Sequence, residues 1–151
     1  MDAAFFRFRD RRELRFRERL SYVSESSIDK ADAWSAAIQI VADSQLKNAK
    51  LAITGALLFT GTYFVHIIEG PKVSIEQLMV SIGNDPRHFN IIIIDQAPLT
   101  VRKFEELRLA YSGPSQFVAH HVFRSIHHTT AMERKRSSDW LTELARQFLA
   151  P

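Results

Sequence analysis

The chain has no cysteine, which excludes thiolate nucleophiles, disulfides and cysteine-held metals and leaves six histidines as its most reactive side chains. Four of them fall in adjacent pairs, His120-His121 and His127-His128. Neighbouring residues do not share a helix face, so the two pairs could meet only loosely at i+6 to i+8. No carboxylate follows until Glu133. That spacing does not make a metal centre and reads as a solvated or interface cluster with pH sensitivity. Asp85-Pro86-Arg87-His88 gathers an acid, a guanidinium and an imidazole in one short run. Two readings stay open for it: a capping loop in which Asp85 satisfies backbone donors, or a contact to an anion or cofactor. Ser44 and Asn48 form the polar end of an otherwise apolar helix stripe. Gly-rich phosphate loops, P-loops and the G-x-S-x-G elbow are absent, and no nucleophile–base pair or paired carboxylates stand at useful spacing. The residues therefore give an enzyme no support.

These side chains must be positioned by a chain of 151 residues, 46% hydrophobic and 25% charged, which is one globular domain with a real core. No apolar run approaches the roughly 20 residues of a membrane span, and no signal-like apolar region follows the start, so the expected location is the cytoplasm. A pI near 9.4 raises the question of nucleic acid. The seven arginines between Arg7 and Arg19 account for the basic excess, so it belongs to a leader (1–16) and not to the fold. That leader is either an anchoring tail or a solvated start. A second basic cluster, Arg134 to Arg136, opens the last helix.

Alternation marks a first strand over Arg15 to Ser24. A helix follows from Ala31 to Asn48, with Trp34, Ala37, Ile38 and Val41 on one face. Leu51 to Phe59 and Tyr63 to Ile68 form a hairpin about Thr60-Gly61. Pro71 starts a second helix, Val73 to Gly83. The four consecutive isoleucines within Phe89 to Asp95 read as a central strand covered on both sides. Arg102 to Tyr111 holds a fifth strand. This order predicts an α+β, ferredoxin-like βαββαββ sheet (17–112) with two helices on one face. The C-terminal segment (113–151) carries Phe117 to Ile126 and an amphipathic helix with Trp140, Leu141, Leu144 and Phe148 on one side. It is expected to cap the other face or to meet a partner.

Several segments in this order resemble one family. Arg19-Leu20-Ser21-Tyr22-Val23-Ser24, Lys47-Asn48, Ile53 to Phe59, Gly61, Phe64, Ile68-Glu69-Gly70-Pro71, Asp85-Pro86-Arg87-His88 and Arg102-Lys103-Phe104 are similar to the motifs of the BLUF domain, the flavin-binding blue-light sensor. The resemblance covers about residues 17 to 111, with a slightly longer loop after the first strand. It implies FAD between the two helices, with FMN or no flavin as alternatives. It places Tyr22, Ser44, Lys47, Asn48, Phe64, Asp85, Arg87 and His88 near the cofactor. In the family a tyrosine matching Tyr22 passes an electron and a proton to excited flavin, and a glutamine then changes its hydrogen bonds.

The position of that glutamine is His66. An imidazole cannot exchange donor and acceptor by rotating as an amide does. The tryptophan and methionine of the family's fifth strand are Leu107 and Leu109. Three readings follow: a flavin photoreceptor with an altered switch, a flavoprotein without the usual photocycle, or a flavin-free interaction module. No output domain is expected within the chain, so it would act through a protein partner or its own oligomer, with the C-terminal segment as contact surface.

Overall fold

The computed structural model describes residues 16–127 and 130–150. The leader up to Arg15, and His128, lie outside the described residues. Among the described residues nine elements follow one another: β1 (Arg17–Ser26), α1 (Ala33–Lys50), β2 (Thr54–Phe59), β3 (Tyr63–Pro71), α2 (Lys72–Gly83), β4 (His88–Pro98), β5 (Leu107–Ser112), α3 (Gln116–His127) and α4 (Ala131–Leu149). The strands form one sheet in the order β4-β1-β3-β2-β5. β1 runs antiparallel to β3 and β4, and β5 is added parallel to β2. This is the ferredoxin-like arrangement with one extra edge strand.

Two of the periodicity assignments are corrected. The isoleucine-rich β4 is an edge strand, and Ile93 remains exposed. Four β-branched apolar residues report side chains that need cover, but they do not report a neighbour on each edge. The central strand is β3, buried from Phe64 to Pro71. On α1 the buried positions are Ala33, Ala37, Val41 and Asn48, while Trp34 and Ile38 lie at the margin and are exposed. Small alanines let the helix backbone approach the sheet, and the large residues are left at its edge. Trp34 covers Phe59 edge-on, with ring centroids 5.7 Å apart.

The second face of the sheet is capped as expected. Val23, Ala56, Leu58, Val65, Ile67 and Ile94 pack on Val118 and Val122 of α3 and on Leu141 and Ala145 of α4. Trp140 and Leu144 are partly buried against this core, whereas Phe148 is exposed. Burying each large aliphatic side chain there is worth about 1.5–3 kcal/mol. Thr130 caps α4 by accepting from the Glu133 backbone N–H at 3.1 Å, and Glu133 stands in the first turn against the following basic run. Thr130→Ala is expected to cost about 1 kcal/mol, read as a lowered denaturant midpoint.

The loop between β4 and β5 must cross from one sheet edge to the other. It is pinned by Glu69, which is fully buried and accepts from the backbone N–H groups of Lys103 (2.8 Å) and Phe104 (2.9 Å) and from Arg19 Nε (2.9 Å). Arg102 donates in turn to Thr54 Oγ1 and to the carbonyls of Glu69 and Ala52. A buried carboxylate is tolerated only when paired in this way. β3 runs beyond Ile68, where the sequence had suggested its end, on to Pro71, paired with Arg17 to Arg19 of β1.

Candidate functional site

Strand alternation decides which side chains face α1 and α2. On β1 these are Leu20, Tyr22 and Ser24, and on β3 they are Phe64, His66 and Ile68. Tyr22, His66 and Leu57 are register partners across β1, β3 and β2. Above them a cleft opens between the two helices, lined by Tyr22, Ser44, Asn48, Phe64, His66, Asp85, Arg87 and His88 over an apolar floor. Its inner part holds about 80 Å³. It opens into an outer vestibule of about 510 Å³ that adds Lys47 and shares Ser44, Asn48, Asp85 and Arg87. The two together fall in the size range of small-molecule pockets. All nine side chains singled out in the sequence therefore meet at one place.

Most of the polar groups are already committed. Tyr22 and His66 are joined at 3.0 Å between the phenol oxygen and Nδ1, and their rings meet edge-on at 5.3 Å. His88 is held at both nitrogens, Nδ1 by Ser24 Oγ and Nε2 by the Ile82 carbonyl, each at 2.7 Å. It ties β1 and β4 to the end of α2. Asp85 accepts from three donors of Arg87, the backbone N–H (3.0 Å), Nε (2.9 Å to one oxygen and 3.1 Å to the other) and Nη2 (2.6 Å). Asp85 organises its own loop, as the capping reading has it, and the loop forms the rim of the cleft. Lys47 Nζ reaches Ser81 Oγ across the vestibule at 3.3 Å, and Ser44 Oγ donates to the Ile40 carbonyl of its own helix. Phe64 stacks on Phe59 at 4.2 Å and meets His88 edge-on.

Burial and the charge of Asp85 push the Tyr22 phenol up, so it stays protonated. Burial and the neighbouring His88 push His66 down to about 4, so its imidazole is neutral near pH 7. The hydrogen bonds from Arg87 hold Asp85 below the usual carboxylate range despite partial burial, and Arg87 is raised in return.

Among the described residues, four buried side-chain atoms have no hydrogen-bond partner: Asn48 Nδ2 and Oδ1, His66 Nε2 and Ser74 Oγ. The first three belong to residues that line the cleft. Buried polar atoms are rarely left unmade, so an amide and an imidazole both facing one apolar slot fit a planar ligand with a polar edge.

Residues 18–110 match the family model described as BLUF, sensors of blue light using FAD. The chain belongs to the BLUF family. BLUF domains are flavin-binding sensors of blue light, and this one has their mixed five-stranded fold. The photoactivated adenylate cyclase subunit beta of Euglena longa is 34% identical over 85 residues, which is 56% of this chain and 10% of that protein. The blue light- and temperature-regulated antirepressor BluF of Escherichia coli (strain K12) is 36% identical over 62 residues, 40% of this chain and 15% of that one. This BLUF chain thus spans a small fraction of the curated relatives it matches. The dark-state structure of the BLUF protein BlrB superposes with a TM-score of 0.67 at 28% identity, covering 87% of this chain and 96% of that one.

Sequence reasoning passed over Ser24, although it lies two residues beyond Tyr22 on the same face and anchors His88. Ile40, Val41, Leu78 and Ile82, which wall the cleft, were visible only as generic helix positions. Among the described residues no group of three metal-binding side chains gathers. Within those residues no helix is long and apolar enough to cross a membrane.

Proposed function

We propose that this chain is a blue-light sensor that holds FAD in the cleft between α1 and α2, with its photoresponse altered by His66. The observation that carries the reading is the unpartnered pair of groups, the Asn48 amide and His66 Nε2, in one buried slot. Asn48 would bond the polar edge of the ring, and Phe64 would pack beside it. Lys47 and Arg87 stand at the vestibule, where a phosphate-bearing tail would leave. A bound flavin supplies blue-light absorption and an excited ring able to accept an electron. Tyr22 is the protonated phenol beside it, and His66 is its hydrogen-bond partner. Output would pass through a protein partner or a second copy of the chain. Exposed Phe117, Phe123 and Phe148 on α3 and α4 support the C-terminal segment as the contact surface.

Absorption spectroscopy of the purified protein tests this: a yellow protein with bound FAD is expected. Asn48→Leu supplies the sharper test. It removes two unpaired buried polar atoms, so the flavin-free protein is expected to gain about 1–3 kcal/mol in denaturant unfolding. The same change is expected to weaken FAD binding by at least about tenfold, as read by fluorescence titration. One observation favours a second reading, a flavin-free interaction module: the inner cleft of about 80 Å³ is narrow for a fused ring system. A protein that is colourless, and stays so after incubation with FAD or FMN, decides for that alternative.

A further inference from the structure

We infer that Tyr22 is a positioning residue for His66, fixing it as the Nε2–H tautomer so that it offers the cleft a permanent donor. The argument starts from a count of hydrogen bonds. The Tyr22 hydroxyl and His66 Nδ1 lie 3.0 Å apart, and neither has another partner among the described residues. The phenol keeps its proton, since burial and Asp85 both oppose its loss. If Tyr22 donates, Nδ1 accepts, and the imidazole proton must sit on Nε2. One donor, Nε2–H, then remains, and it belongs to a residue that lines the cleft. If instead Nδ1–H donated to the phenol oxygen, the Tyr22 O–H would be buried without an acceptor and Nε2 would be a bare lone pair. The second arrangement strands one more buried group. That difference holds the tautomer ratio above about tenfold.

The groups that face His66 sharpen the point. Tyr22 approaches from β1, and His88 from β4 acts on it electrostatically. Both nitrogens of His88 are taken by Ser24 and Ile82, so it cannot supply a bond to His66. Leu57, its register partner on β2, is apolar. Tyr22 alone chooses which nitrogen carries the proton. The consequence for binding, which rests on the flavin reading, is directional: whatever edge of the ring meets His66 must present an acceptor. Asn48, with both ends of its amide unpaired, can adapt to a donor or an acceptor, but His66 cannot.

Long-range proton–nitrogen NMR of the full chain with ¹⁵N-labelled histidine, with and without added FAD, tests the inference directly. The expected result in both samples is an unprotonated, pyridine-like Nδ1 and a protonated, pyrrole-like Nε2 for His66, assigned by loss of the signals in His66→Gln. Tyr22→Phe is expected to shift the two nitrogens toward a mixture, which a role confined to packing would not do. A protonated Nδ1 in the unsubstituted protein overturns the inference. So does a tautomer that is unchanged in folded Tyr22→Phe. If Tyr22→Phe does not fold, the assignment in the unsubstituted protein still decides. The flavin-free sample keeps this result separate from the flavin reading, which fails only if FAD does not bind.

Discussion

Blue light is expected to produce no reversible red shift of the flavin band in this protein, and His66→Gln is expected to gain one. The reason proposed is that the resemblance implies a rotating glutamine at the position that His66 occupies here. A glutamine amide carries an acceptor at one end and a double donor at the other, and a half-turn exchanges them. Its hydrogen bonds to a ring and to a tyrosine can then be redrawn while every group stays paired. With Tyr22 donating, as inferred above, the one acceptor of His66, Nδ1, is committed to the phenol 3.0 Å away. Turning the ring would break that bond and leave a protonated phenol unpaired in the core. His66→Gln restores the rotor next to an unchanged Tyr22 and Asn48. Difference spectra before and after illumination, recorded on both proteins loaded with FAD, check the pair of expectations. A reversible red shift in the unsubstituted protein sinks the argument, because His66 would then support the switch. Leu107 lines the cleft but is apolar, and Leu109 does not line it, so neither offers the ring a hydrogen bond.

The order of elements was legible in the sequence because it depends on short-range signals, whereas the cleft between the helices was implied by the family resemblance. Strand alternation places Tyr22 and His66 on definable faces, and helix spacing brings Ser44 and Asn48 one turn apart. What was hidden depended on chain segments far apart in sequence. Glu69 reads as a turn residue, yet its partners Arg19, Lys103 and Phe104 lie 34 to 50 residues away. Of the four isoleucines of β4 only Ile94 is buried, and no local pattern says that the strand ends the sheet. Spacing puts Trp34 and Ile38 on one face with Ala37 and Val41, whereas the close approach of α1 buries the small Ala33 and Ala37. The bond between Tyr22 and His66 follows from the register of β1 on β3, which the sequence alone does not set. Residue types at the site could be read ahead of the structure, but their commitments to one another could not.

That commitment also predicts an acid-sensitive fold. Burial, with His88 adding to it, lowers His66 from the ordinary 6.5 to about 4. The unfolded chain therefore takes up this proton below about pH 6.5, while the folded chain refuses it until about pH 4. Between those values the unfolded state binds more protons, so stability is full above the window and falls as the pH drops through it. Stability falls by about 1.4 kcal/mol for each pH unit of that window, so the total loss reaches about 3 kcal/mol by pH 4. Two other groups could blur the result. Asp85 is depressed as well, so its contribution is lost at lower pH, below the usual carboxylate range. His121 is lowered by burial and by its neighbours His120 and Arg124, and it moves stability in the same direction as His66, but it is mostly solvated and its effect is screened. Comparison with His66→Gln isolates the buried imidazole. Urea unfolding at pH 7 and pH 4.5 is expected to show most of the loss in the unsubstituted protein and a much flatter response in the variant. Equal losses in the two would mean that His66 takes up its proton within the fold. The imidazolium would then have two donors facing Tyr22 and the cleft, and Tyr22 could no longer donate to Nδ1. The acid titration and the light response thus test one and the same hydrogen bond, from the side of stability and from the side of the switch.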